Sequence, residues 1–167
     1  MVTFQTRIAA PSDAASVSSL LGRSYSALLP QAYSAELLNA ALPLITKAQP
    51  KLLTSGTYYV AETDSGKLIG AGGWTKHSPT ARDETPANGN IRHFGTDPEY
   101  TGKGVARALM TRCFEAARSA GLLELNCYST LNAEAFYKSC GFMTKEPCMI
   151  ELPGGVQFPS VRMEITL

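Results

Sequence analysis

From Asp97 to Leu109 the chain reads Asp-Pro-Glu-Tyr-Thr-Gly-Lys-Gly-Val-Ala-Arg-Ala-Leu, which is a strand end, a glycine turn and a helix start in immediate succession. Pro98 cannot donate to a ladder, so it closes an extended segment, Asn90 to Thr96, that carries Ile91 and Phe94. Beyond the turn, Val105, Leu109, Cys113 and Ala117 fall on one helical stripe, flanked by Ala106, Met110 and Phe114. Gly102 and Gly104 let the backbone turn without a Cβ clash. Free amides at the helix N-terminus then face a phosphate along the positive end of the helix dipole. The expected ligand is a cofactor that bears phosphate.

Three cofactor classes use such a turn. A P-loop needs Gly-x-x-x-x-Gly-Lys followed by Ser or Thr, whereas Lys103 is followed by Gly104, with no hydroxyl for magnesium. A dinucleotide fingerprint needs Gly-x-Gly-x-x-Gly or Ala, and Arg107 stands at the third small position. The ribose acid would have to be Glu124, which lies inside the next apolar run instead of closing it.

The third class matches better, because a second motif supports it. Asn132-Ala133-Glu134-Ala135-Phe136-Tyr137-Lys138-Ser139-Cys140-Gly141-Phe142, taken with Pro98 to Leu109, resembles the signature pair of the GNAT superfamily of acyl-CoA-dependent N-acetyltransferases. The family turn reads Arg or Gln, any two residues, Gly, any residue, then Gly or Ala. Here those positions are Thr101, Gly102, Lys103, Gly104, Val105 and Ala106, so Thr101 departs from the pattern while Gly104 and Ala106 keep it.

The resemblance implies a mixed α/β fold of the α+β type. It would be one domain over residues 1–167, with a central mixed sheet of six or seven strands, a splayed and bulged central strand, and about four helices. It implies acetyl-CoA as cosubstrate, with Gly102, Lys103, Gly104, Val105 and Ala106 at the pyrophosphate. The backbone near Phe94 and Thr96 would hold the pantetheine arm, and an amide near Phe94 would polarise the thioester carbonyl. Asn132 would contact pantetheine as well, although locally it reads equally as a helix N-cap. Lys138 and Arg107 are candidates to reach the CoA phosphates, the alternative being that each is simply solvated.

Spacing supplies one independent hint of that bulge. Ile91 and Phe94 are three apart, so both face the core only if the strand contains an extra residue.

The implied reaction is direct transfer to an amine. An ammonium of pKa ~10 must lose a proton before it attacks, and a leaving thiolate gains from receiving one. Tyr137 matches the family tyrosine that gives the second proton. Its local alternative is an aromatic packed on an amphipathic helix beside Phe136. Many relatives carry a Glu base early in the central strand, where this chain has Asn90. His93 is the replacement candidate, with an ordinary pKa of ~6.5; His77, Asp83 and Glu84 are weaker ones, and ordered water alone is the remaining option.

Composition agrees with a small enzyme. A chain of 167 residues is of single-domain size and buries roughly 70% of its unfolded surface. A net charge of +1 with interspersed signs leaves no electrostatic footprint for nucleic acid or a membrane surface. No run approaches the ~20 apolar residues of a membrane span, and no apolar leader core precedes Arg7, so the expectation is a cytoplasmic protein. Cys113, Cys127, Cys140 and Cys148 include no Cys-x-x-Cys pair, which argues against zinc and against a disulfide scaffold; no metal is expected. Cys127 alone is placed to line the acyl site.

Local patterns predict a strand over 3–9, a helix from Pro11-Ser12-Asp13 to Leu29, and a second from Ser34 to Lys47 interrupted near Pro43. A hairpin of 57–63 and 67–74 turns at Asp64-Ser65-Gly66. A loop spans His77 to Gly89, two strand-helix pairs begin at Asn90 and Leu122, and strands over 143–152 and 161–167 finish the chain.

In proteins of this kind the acceptor is gripped by the first two helices and the last hairpin. Here that means Ser24 to Tyr33 and Pro153 to Pro159, with Tyr25, Gln31, Tyr33 and Phe158 and few acids. The expected acceptor is a small-molecule or peptide amine that is mostly neutral, not a polycation. A homodimer through an edge strand is compatible with the resemblance. The rival reading is a non-catalytic acyl-CoA-binding module that kept the turn and lost the base. A dinucleotide-dependent oxidoreductase is the third.

Overall fold

Seven extended segments pair into one sheet in the order β1-β2-β3-β4-β5-β7-β6 in the computed structural model, which describes residues 2–76 and 87–167. They are β1 (Phe4–Ile8), β2 (Tyr58–Thr63), β3 (Leu68–Thr75), β4 (Asn88–Thr96), β5 (Glu124–Thr130), β6 (Met143–Leu152) and β7 (Val156–Thr166). Every neighbouring pair is antiparallel except β4 with β5. The helices are α1 (Ala14–Leu28), α2 (Ala35–Ile45), α3 (Pro50–Leu53), α4 (Val105–Ser119) and α5 (Glu134–Ser139). The mixed α/β expectation holds, with seven strands, and with five helices in place of about four.

Alternation along β2 explains why the sheet is covered on both faces. Tyr59 and Ala61 point one way, into a core built with Val105, Leu109, Met110 and Cys113 of α4. Tyr58 and Val60 point the other way, against Val17, Leu20 and Leu21 of α1. The stripe read from sequence on α4 is therefore its buried face, with Val105, Leu109, Cys113 and Ala117 at most 1% exposed.

The feature that shapes the site is the parting of β4 from β5. They pair only over Asn88–Asn90 against Glu124–Asn126, and diverge afterwards. Just past that point β4 bulges against β3. Ala71 faces Gly95 and Gly73 faces Arg92, so His93 and Phe94 together oppose Gly72. His93 carries the distortion, with φ of 52°, a left-handed conformation costing about 1–3 kcal/mol in a non-glycine residue. Ile91 is buried and Phe94 packs against the same core, so the spacing argument for a bulge holds.

Several local expectations need correction. Helix α2 starts where Ser34 accepts a hydrogen bond from the Leu37 amide, but it runs through Pro43 uninterrupted, since only the last turn lacks that donor. The four-residue α3 was not expected at all. Strand β7 begins at Val156, before Pro159, so the last hairpin is longer than its sequence suggests. Asn88 and Gly89 already belong to β4; the rest of the expected loop from His77, apart from Ala87, lies outside the described residues, as do the base candidates His77, Asp83 and Glu84.

Candidate functional site

Where β4 and β5 part, a cavity of about 720 Å³ opens. Ile91, Phe94, Cys127 and Tyr137 line its middle, and Thr101, Gly102, Gly104, Val105 and Ala106 line one end. Leu28, Leu29, Ile45, Ile150, Leu152 and Phe158 wall the other. The glycine turn and the tyrosine motif thus meet in one cleft.

The glycine end is built as the sequence requires. Gly102 and Gly104 have φ of 72° and 83°, and Gly104 is the N-cap of the 15-residue α4 with no side chain capping it. The first amides of α4 are left for a ligand. Asp97 anchors the turn from below: its carboxylate accepts from the Glu99 amide at 2.9 Å and pairs with Arg23 and Lys67 at 3.2 and 3.4 Å. Burial pushes that carboxyl up, but the amide and the two cations outweigh it and hold it below the usual range.

The side chain of Lys103 turns away from the cleft. Its ammonium sits over the Tyr100 ring, 5.5 Å from the centroid, and it does not line the cleft. Arg107 does line it, donating to Ser139 Oγ at 2.8 Å, whereas Lys138 is paired with Glu134.

Tyr137 is buried, edge-on to Phe94, Phe136 and Phe142 at 6.4, 5.3 and 5.6 Å between centroids. Burial pushes its hydroxyl well above 10, so it stays protonated at neutral pH. It interacts with the Cys127 thiol, which burial likewise keeps neutral. Cys127 therefore lines the cleft as a thiol and not as a nucleophile. No disulfide joins the four cysteines, and among the described residues no group of three His, Cys, Asp or Glu is placed to hold a metal.

His93 projects from the bulge. Its Nε2 lies 2.7 Å from the Ile45 carbonyl at the end of α2, which fixes the tautomer: Nε2–H donates, and Nδ1 keeps its lone pair. Nδ1 is out of solvent and has no hydrogen-bond partner among the described residues. Burial lowers the pKa below 6.5, and Arg92 lowers it further against the opposing Ile45 bond. The unfolded chain thus binds a proton that the folded chain refuses, and stability falls as pH drops below 6.5. Urea melts at pH 7 and pH 5 should show a loss that is smaller in His93→Gln; equal losses in both proteins would remove His93 as the cause.

Asn90, at the place of the family Glu, is buried and donates to the Lys76 carbonyl at 3.2 Å, which makes it a structural residue. Asn132 lines the cleft but caps no helix: the chain enters α5 through a 3₁₀ turn, Leu131–Ala133, whose flanking N-caps are Thr130 and Ala133. Thr96 lines the cleft too, yet its amide already donates to Ser24 Oγ at 3.2 Å. Of the acceptor candidates, Tyr25, Gln31 and Phe158 line the cleft; Tyr33 instead stacks under Phe158 and donates to the Pro159 carbonyl.

Sequence reasoning missed two hydroxyls. Tyr58 donates to the His93 carbonyl at 2.8 Å and Tyr25 to the Phe94 carbonyl at 2.7 Å. Tyr58 sits in an apolar strand and reads as core, and Tyr25 reads as an acceptor-side residue, so neither hydroxyl signals a contact with β4.

Comparison with known proteins decides among the cofactor classes. The acetyltransferase (GNAT) family model matches residues 16–142. The chain belongs to the GNAT acetyltransferase family. A mycothiol acetyltransferase from Kocuria rhizophila is 36% identical over 86 residues, which is 50% of this chain and 28% of that protein, so the chain spans under a third of that relative. A GCN5-related N-acetyltransferase from Rhodopseudomonas palustris superposes with a TM-score of 0.79 at 22% identity, covering 100% of this chain and 98% of that one. The PaiA N-acetyltransferase of Thermoplasma acidophilum, solved in complex with coenzyme A, gives 0.73 at 18% identity, covering 99% and 100%. These likenesses establish a GNAT fold. A dinucleotide-type sheet is excluded by the antiparallel pairing on either side of β4 and β5. Among the described residues, no helix is long and apolar enough to cross a membrane.

Proposed function

We propose that this GNAT protein transfers an acetyl group from acetyl-CoA to an apolar primary amine, with Tyr137 as general acid and His93 as the group that takes the amine's proton. One observation carries the reading: a single cleft joins the free amides of α4, the splayed bulged edge of β4 and a protonated Tyr137 hydroxyl.

In this reading the pyrophosphate lies on the turn from Gly102 to Ala106, and pantetheine follows the open edge of β4 past Phe94 and Thr96 to Asn132. The neutral amine attacks the thioester carbon, forming the C–N bond while the Phe94 amide holds the carbonyl oxygen. The C–S bond then breaks and Tyr137 protonates the departing sulfur. A hydroxyl kept protonated by burial beside the Cys127 sulfur is suited to that task. His93 Nδ1 receives the amine's proton, and once the products leave, that proton returns to Tyr137 by way of water entering the open cleft, which restores both groups.

The acceptor half supports the choice of amine. Its walls are largely Leu, Ile and Phe, and among the described residues lining the cleft there is no Asp or Glu. Burying a second ammonium there would leave it uncompensated, which disfavours polyamines and aminoglycosides.

The test is a thermal-shift comparison of acetyl-CoA, CoA, NAD and ATP. A ligand at about 100 times its Kd adds about 2.7 kcal/mol. The midpoint should rise with both CoA species and with neither of the others. A rise with NAD or ATP alone would overturn the reading.

A further inference from the structure

A strand that leaves its neighbour must satisfy its backbone some other way, and this chain does so with side chains reaching up from beneath the sheet. Tyr58 of β2 holds the His93 carbonyl at 2.8 Å, Tyr25 of α1 holds the Phe94 carbonyl at 2.7 Å, and Ser24 accepts from the Thr96 amide at 3.2 Å. The first two contacts fall on the two residues that crowd opposite Gly72, the one place where β3 does not fix the register of β4. His93 is also the residue with positive φ, so the backbone there adopts a conformation it would not choose unaided.

Planarity turns this into a statement about direction. In a trans peptide the carbonyl and the following N–H point opposite ways, so fixing the His93 carbonyl fixes the Phe94 N–H. Fixing the Phe94 carbonyl closes the rotation on the other side of the same residue. Both tyrosines are suited to the task, because burial pushes their hydroxyls far above the usual range and keeps them donors at any physiological pH.

We propose that Tyr58 and Tyr25 are positioning residues, a two-hydroxyl clamp that aims the Phe94 amide at the thioester carbonyl. The proposal rests on the acetyl-transfer reading above and adds to it the source of the amide's alignment. Neither residue touches the reacting atoms through its hydroxyl, so loss of the clamp acts on the chemical step and leaves cofactor grip at the α4 turn largely intact.

The experiment uses Tyr58→Phe, Tyr25→Phe and, as a control for deleting a buried hydroxyl elsewhere, Tyr33→Phe, which loses its bond to the Pro159 carbonyl. The readouts are kcat and KM for acetyl-CoA, and the infrared stretch of carbonyl-labelled acetyl-CoA bound to each protein. Bound to the wild type, the stretch should lie below its solution value. In each clamp variant it should move back toward that value while kcat drops about 10-fold and KM stays close to wild type. Tyr33→Phe should lower the melting temperature and leave the bound stretch unchanged. If the bury-deeper variant Tyr58→Phe does not fold, Tyr25→Phe at the cleft wall decides the matter by the same readouts. An unshifted stretch in a folded clamp variant that binds acetyl-CoA sinks the clamp alone. Failure of the wild type to bind acetyl-CoA removes the underlying reading and the clamp together.

Discussion

Tyr137→Phe is expected to lower kcat by about 10²- to 10⁴-fold while acetyl-CoA still binds, because in the proposed reaction it deletes the general acid and little else. The ring keeps its edge-on contacts with Phe94, Phe136 and Phe142, so the cleft wall is preserved. Only the O–H beside Cys127 disappears. Steady-state rates beside a calorimetric acetyl-CoA titration separate chemistry from binding. Unchanged turnover would take Tyr137 out of the mechanism, and loss of binding with loss of turnover would make it a structural residue. An inactive wild type that binds acetyl-CoA would revive the non-catalytic module.

Gly72→Ala should damage stability and acetyl transfer together. A Cβ at Gly72 would lie 2.4 to 2.6 Å from three atoms of the Phe94 ring, inside contact distance. Phe94 also meets the Tyr137 ring edge-on, so relieving the clash must displace the Phe94 ring or the bulge that carries it. The expected cost is about 1–3 kcal/mol of stability, with a loss of acetyl transfer of at least about 10-fold as the Phe94 amide shifts. Gly22→Ala is the contrast: its Cβ would meet nothing within 4 Å on helix α1, and it should stabilise by about 0.4–1 kcal/mol. Thermal melts of the two variants check both. A Gly72→Ala protein with wild-type stability and rate would show that the bulge is not held from beneath.

The parts of the fold visible in sequence are those written in local chemistry. Gly102 and Gly104 announce the turn, the apolar stripe announces α4, and the three-residue spacing of Ile91 and Phe94 announces the bulge. What escaped depends on tertiary partners. Spacing does not say where a turn lysine points, and Lys103 lies over Tyr100 instead of in the cleft. Asn132 is among the best N-cap residues, yet an unannounced 3₁₀ turn takes the chain past it. Pro159 hid the start of β7, although a proline can sit in a strand where its missing donor is not needed. The tautomer of His93 is set by a carbonyl 48 residues away in the chain, and the clamp by hydroxyls on residues whose rings serve the core.

The most direct measurement is a mixture of protein, acetyl-CoA and one amine at a time, with free CoA and acetylated amine quantified by mass spectrometry. Phenylethylamine should give both products in equal amounts at a rate that exceeds the protein-free control, with spermidine and an aminoglycoside giving far less. Free CoA with no acetylated amine, or acetylation of spermidine in preference to phenylethylamine, would contradict the account of this cleft.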